Sequence, residues 1–97
     1  MARFHVHHID RGYALDVQSN LLDRLDTRVM IPLTDASRVV NVMSKLNPIV
    51  VVNGTRYLLS TERMASVPVA DIGPSAVDLT SKADEIAAAL DFLFLGF

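Results

Sequence analysis

Asn53-Gly54, set between two runs rich in apolar and β-branched residues, constrains this chain more than any other feature. Both central residues of a type I′ turn need positive φ, which Asn and Gly tolerate, and this turn matches the twist of paired strands. Ile49-Val50-Val51-Val52 and Thr55-Arg56-Tyr57-Leu58-Leu59 are therefore expected to form a β-hairpin on a two-residue turn.

Other segments alternate with the same period. In Phe4-His5-Val6-His7-His8-Ile9, Phe4 and Val6 fall on one face and His5 and His7 on the other. Asp10-Arg11-Gly12 reads as a short turn, and Tyr13-Ala14-Leu15-Asp16-Val17-Gln18 returns with Tyr13, Leu15 and Val17 facing inward, which makes an N-terminal hairpin. Ser19 to Thr27 is a polar loop with Leu21 and Leu22 as an apolar plug. Arg28-Val29-Met30-Ile31-Pro32-Leu33 is a strand whose Pro32 belongs at an edge, a bulge or the strand's end. Thr34-Asp35-Ala36-Ser37 supplies turn or cap chemistry. From Ser37 to Leu46, helix and irregular strand both stay open, since Val39, Val40, Met43 and Leu46 recur at helical spacing. Met64-Ala65-Ser66-Val67-Pro68-Val69 is a further extended piece broken by Pro68, and Gly73-Pro74 is a turn.

The period changes at the C-terminus. Ser81 and Asp84 resemble a capping box with Asp in the Glu position. Ile86, Leu90, Leu93 and Phe94 follow at helical spacing and predict one closing helix, with those four side chains turned inward. On a wheel of about 100° per residue, Leu95 lies roughly opposite Ile86, and Phe92 also leaves the inward stripe. The sum is mostly β with one C-terminal α-helix, a small antiparallel barrel or sheet with the helix packed on it. No internal repeat, linker or low-complexity segment interrupts it, so residues 1–97 are taken as one domain.

Composition narrows what such a domain does. Hydrophobic residues make up 51% of the chain, a large share for a body with so little interior, which points to a partner or a second copy covering part of the surface. Nine Lys and Arg against eleven Asp and Glu give a net charge of -2, and many basic residues have acidic neighbours, as in Asp10-Arg11, Asp23-Arg24 and Glu62-Arg63. Grip on nucleic-acid phosphates needs a basic excess or stripe, so direct nucleic-acid binding is not expected. The absence of cysteine excludes disulfides, thiolate chemistry and Cys-based zinc sites. Charged residues break the N-terminal stretch, leaving no signal peptide and no membrane span, so a soluble cytoplasmic protein is expected.

Four stretches carry a family resemblance: Asp16-Val17-Gln18-Ser19, Ile31-Pro32-Leu33, the long Met64-Ala65-Ser66-Val67-Pro68-Val69 run, and Asp78-Leu79. With the terminal helix and its penultimate Gly96, they stand in the order and near the spacing of the CcdB family of plasmid and chromosomal toxins, which the chain resembles. That resemblance implies a small SH3-like β-barrel of the kind shared with MazF toxins, working as a homodimer. It implies binding to the DNA gyrase A subunit and trapping of gyrase on cleaved DNA. A CcdA-like antitoxin would neutralise the toxin and repress the shared operon with it. No step would be an enzymatic reaction of the toxin, and no cofactor is implied.

In the best-known form of the family the gyrase contact is a final Trp-Gly-Ile. Carried over position by position, it falls on Leu95, Gly96 and Phe97. Gly96 is kept, while Leu95 stands where the Trp would stack a broad ring on its target. A dimer that keeps antitoxin binding without poisoning gyrase is the second reading. Met64 and Pro68, by the same resemblance, support the dimer seam.

Other constellations are weaker. His5 and His7, at i and i+2, have a chelating spacing, but no further His or Cys beyond His8 is present to complete a set, and they read as polar outer-face residues of an edge strand. Ser19, Ser37, Ser60 and Ser66 sit in no Gly-x-Ser-x-Gly elbow, and there is no Gly-rich phosphate loop. The enzyme alternative is a MazF-like endoribonuclease using Arg56, Thr61 and Arg63, against which the acidic balance argues.

Overall fold

A computed structural model describes residues 1–97. The elements are β1 (His5–Ile9), β2 (Gly12–Asp16), β3 (Thr27–Asp35), β4 (Ile49–Val52), β5 (Thr55–Leu59), β6 (Ala65–Pro68), β7 (Ser75–Asp78) and α1 (Ala83–Leu95). They join in one antiparallel sheet ordered β4-β5-β3-β2-β1-β7, with β6 paired to β3 off that path. The sheet curls into a half-barrel, and α1 closes it. No helix is long and apolar enough to cross a membrane.

The β4–β5 hairpin forms as its turn dictates, with Asn53 at φ +51° and Gly54 at φ +79° and Val52 opposite Thr55. The N-terminal hairpin is tighter than the sequence suggests: Ile9 pairs with Gly12, so the turn is Asp10-Arg11 and Gly12 is already strand.

β3 is the spine, and it changes partner along its length. Thr27–Met30 pairs β6, while Leu33–Asp35 pairs β5. Pro32 therefore sits inside a nine-residue strand and not at its end. It is tolerated because a strand residue's N–H and C=O point to the same side. The Pro32 carbonyl accepts from Ser60 N–H at 3.0 Å, so the missing donor falls where β3 passes from β6 to β5 and no ladder bond is lost.

Phe4, Val6, Leu15, Val17, Ile31, Val50, Val52, Leu59, Leu79 and Ile86 form the core. Complete burial of a side chain such as Ile86 contributes about 1.5–3 kcal/mol. Several expectations are overturned around it. Leu21 and Leu22 do not plug the Ser19–Thr27 loop; both are exposed, within a single 3₁₀ turn at Asn20–Leu22 capped by the Ser19 hydroxyl. Residues 37–46 form neither an α-helix nor a strand. After a 3₁₀ turn at Ala36–Arg38 the chain runs irregularly, tied down by Asn47, whose amide donates to the Leu59 carbonyl and the Glu62 carboxylate. Val40 and Met43 are left exposed there.

β7 had no sequence expectation at all. It makes β1 an interior strand, which overturns the placement of His5 and His7 on an edge. His7 is buried, its Nδ1 3.0 Å from the Gly73 carbonyl. The chain entering β7 hugs β1 so closely that a Cβ on Gly73 would lie 2.7 Å from the His8 carbonyl oxygen. His5 stays half-buried beside Ser75 and Asp78.

The capping box is also absent. Ser81 lies within a 3₁₀ turn at Thr80–Lys82 that leads into α1, and the carboxylate that orders this entry is Asp78, accepting from the Thr80 N–H and hydroxyl. These two bonds, the hydroxyl's first, hold the Asp78 carboxyl below its ordinary 3.8. Asp84 and Glu85 in the first turn of α1 complement the helix dipole.

Candidate functional site

The helix meets the core through Ile86 and Ala89, both fully buried, with Leu90 and Leu93 beside them. Ala89 moves the centre of the inward stripe away from Phe94, and Phe94 is 65% exposed instead of packed. Leu95 leaves the core as its wheel position requires, at 61% exposed, and Phe97 beyond it is 78% exposed. Three large apolar side chains thus stand in solvent on the last turn and its extension. Phe92 is half-buried, with the Lys45 ammonium 5.2 Å from its ring centroid.

Gly96 fixes how the tail departs. At φ +82° it takes the left-handed conformation that ends helices, and its N–H donates to the Phe92 carbonyl at 3.0 Å. Nothing lies within 4 Å of a Cβ placed there, so glycine is required by backbone conformation and not by crowding.

The tail is continuous with an apolar groove of about 410 Å³. Phe94 and Leu90 line it from the helix, Val29 from β3, Met64 from just before β6, and Leu22 and Leu25 from the loop after β2. Sequence reasoning reached Met64 as a seam residue and the tail as a contact, but did not join them through Leu22 and Leu25. The available signal was three apolar residues in one polar loop. Pro68 is exposed and ends β6 opposite Thr27.

The groove's loop wall is held by buried polar residues. Asp16 is fully buried and Arg28 is 2% exposed. The Arg28 guanidinium donates to the Asp16 carboxylate from Nε at 2.9 Å, with a second nitrogen at 2.7 Å, and reaches Asp23 at 2.9 Å. Gln18 donates its side-chain amide to the carbonyls of Leu22 and Thr27 and accepts from Val29 N–H. The Asp16-Val17-Gln18-Ser19 stretch is thus a brace that pins the loop to β3.

The residues considered for RNA cleavage are not brought together. Arg56 lines a polar cleft with Asp35, Ser37 and Thr55. Arg63 lines an apolar cleft on the other part of the sheet with Ile9, Ala14 and Val67. Thr61 is buried, its hydroxyl donating to the Leu46 carbonyl at 2.6 Å. Asp35 itself is engaged by the Ser37 hydroxyl and N–H, which hold its carboxyl below the ordinary 3.8.

The family model described as CcdB protein matches residues 3–96. The chain belongs to the CcdB family of toxins. Its fold is also that of MazF toxins. The Mycobacterium tuberculosis toxin MazF-mt6 is similar with a TM-score of 0.77 at 17% identity, over 93% of this chain and 95% of that one. An endoribonuclease from a mycobacterial species, solved in complex with its cognate antitoxin, gives 0.77 at 17% identity over 100% and 98%. Likeness at such identity is likeness of fold. The matched range takes in the brace, the Met64–Val69 run and the helix-ending Gly96, with Leu95 and Phe97 on either side of that glycine.

Proposed function

We propose that this CcdB family chain is a gyrase-directed toxin that acts as a homodimer by binding, without catalysing a reaction of its own. Leu95, Gly96 and Phe97 are the contact with the gyrase A subunit, and the outcome of contact is a trapped gyrase–DNA cleavage complex. The observation that carries this reading is the exposure of Leu95 and Phe97 on a tail whose direction Gly96 sets. Apolar side chains held in water at a defined helix end are suited to recognition of another protein and contribute nothing to this chain's own core. The groove beside them, with Met64 and Phe94 in its walls, is the face given to the dimer seam. A CcdA-like antitoxin neutralises the dimer and represses the operon with it, a reading supported by family membership and by the antitoxin bound to a protein of the same fold.

The test is DNA cleavage by purified protein, gyrase, ATP and supercoiled plasmid, scored for linear DNA after the enzyme is denatured. Linear product that vanishes on deletion of residues 95–97 supports the reading. Absence of linear product with several gyrases overturns it and leaves the second reading, a dimer that binds antitoxin alone. Leu95 in the Trp position is the specific observation favouring that second reading. The endoribonuclease reading draws on fold likeness, and the separation of Arg56 from Arg63 and the burial of Thr61 weigh against it.

A further inference from the structure

One side of α1 runs into the tail and is flanked by the turn before β4. Glu85, Ala88, Phe92 and Leu95 are three, four and three residues apart, which places them on a common side of the helix. Ser44, Lys45 and Pro48 share a cleft with Glu85 and Ala88. One turn further on, the Lys45 ammonium lies 5.2 Å from the Phe92 ring centroid. Leu95, exposed, is the next residue on that side. The turn that carries Lys45 is closed by its own hydrogen bonds. The Met43 carbonyl accepts from the Leu46 and Asn47 N–H groups at 2.8 and 2.7 Å, and the Met43 N–H donates to the Asn47 side-chain oxygen at 3.3 Å. Asn47 and Pro48 are buried, and both are bonded to Leu59 of β5. The backbone of Lys45 is therefore held inside a braced turn, not at the tip of a free loop.

Charge gives this contact its sense. α1 carries Asp84, Glu85 and Asp91 and no basic residue, so the helix has no cation of its own for its last turn, where its dipole is negative. Lys45 brings one from outside. Glu85 lines the same cleft, but its carboxylate is 3.9 Å from Lys82, and Lys45 makes no salt bridge. The face of an aromatic ring attracts a cation and so does the C-terminal end of a helix, and both attractions draw Lys45 towards Phe92. The Phe92 carbonyl in turn accepts the Gly96 N–H, the bond that sets how the tail departs.

We infer that Lys45 is a positioning residue for the tail. It holds the last turn of α1 through the Phe92 ring, and through the Phe92–Gly96 bond it holds the direction in which Leu95 and Phe97 are presented. Lys45 itself needs no contact with the partner. The inference rests on the gyrase reading for what the tail meets, whereas the pose of the tail belongs to the free chain and is measured without gyrase.

The test compares Lys45→Met, which keeps a long side chain without the charge, with Lys45→Arg, which keeps a cation over the ring, both in the full chain. Two quantities are read: exchange of the Gly96 amide with water by NMR, and affinity for purified gyrase A subunit. Lys45→Met should speed Gly96 exchange about two- to fivefold and weaken gyrase binding by a similar factor, while Lys45→Arg should restore both. In a Phe92→Leu background, Lys45→Met should have little further effect, because the ring that receives the cation is gone. Unchanged Gly96 exchange in Lys45→Met would overturn the inference. So would equally faster exchange at Ala89 and Leu90, which marks a general loosening of α1, or faster Gly96 exchange with unaltered gyrase affinity. If the unsubstituted chain binds no gyrase, it is the gyrase reading that fails, and Gly96 exchange still decides whether Lys45 sets the pose of the tail.

Discussion

The loop brace and the C-terminal tail invert the usual distribution of polarity. Asp16 and Arg28 are charged and buried, while Phe94, Leu95 and Phe97 are apolar and exposed. A buried ion pair rarely stabilises a fold relative to apolar residues of the same volume, because both ions lose hydration. What this pair does is fix one arrangement: Arg28 spans Asp16, Asp23 and the Gln18 carbonyl, so the loop after β2 has a single seat on β3. The tail has the opposite character. Its apolar groups touch little of their own chain, and their loss costs the fold little. The contrast separates residues that decide shape from residues that meet something else, and each can be broken without the other.

The largest expected effect is on the brace. Arg28→Met leaves Asp16 charged, buried and unpaired, and should lower the unfolding free energy by about 3–5 kcal/mol in urea denaturation. That is a large part of what a domain of this size possesses. The double change Asp16→Leu with Arg28→Met should recover most of the loss, since no orphaned charge remains. A single variant as stable as the double would show that the pair does not act as a unit. Deletion of residues 95–97 should do the reverse, abolishing linear DNA in the gyrase cleavage assay while thermal unfolding shifts by no more than a few degrees. A deletion that unfolds the domain would remove the distinction between the two regions.

How far the sequence could be read follows the same division. The β4–β5 hairpin was legible because its turn depends on two adjacent residues and a steric rule, and nothing distant competes. The exit of Leu95 from the core was legible because helical period alone sets it. Phe94 was misplaced because the inward stripe is centred by Ala89, a small residue whose burial reflects how near the sheet stands. β7 was missed because Ser75-Ala76-Val77-Asp78 has little pattern of its own and becomes a strand through pairing with β1. His7 was placed outside for the same reason: what buries it arrives from the segment before β7. The brace appeared only as a run of residues resembling a family, since charge pairing across Asp16 and Arg28 has no sequence period. At the candidate site, each residue of the tail was legible, but the groove joining it to Leu22, Leu25 and Met64 is a product of tertiary packing.

Two substitutions in the tail sharpen its side of the comparison. Leu95→Trp restores a broad ring at the exposed position and should raise linear DNA severalfold at a fixed toxin concentration, by about 1 kcal/mol of added contact. Stability should hardly move, because Leu95 packs on nothing its own core needs. No change in cleavage would place the recognition elsewhere, for instance on Phe97. Gly96→Ala tests direction in place of chemistry. There is room for the methyl group, but φ +82° strains it by about 1 kcal/mol, which the chain relieves by unwinding the last turn. Cleavage should fall while the melting temperature stays within a few degrees, and an unchanged cleavage titration would show that tail direction is immaterial.

The smallest effect is expected at the entry to the helix, where a polar contact lies on the surface in place of the interior. Asp78 accepts from the Thr80 hydroxyl and N–H, and these bonds hold its carboxyl below the ordinary 3.8. A carboxyl lowered in the folded state binds protons less readily than in the unfolded chain, so its contribution is complete above about pH 4 and disappears as pH falls through its folded value. Asp78→Asn removes that titration while an amide oxygen still accepts from Thr80. The acid limb of the stability profile, followed by urea midpoints between about pH 5 and 2, should become shallower, with neutral-pH stability nearly unchanged. Because Asp78 is solvent-exposed, the change should be far smaller than that of Arg28→Met. An Asp78→Asn variant that matched Arg28→Met in severity would mean that the helix entry, and not the buried pair, is where polar contacts decide this fold.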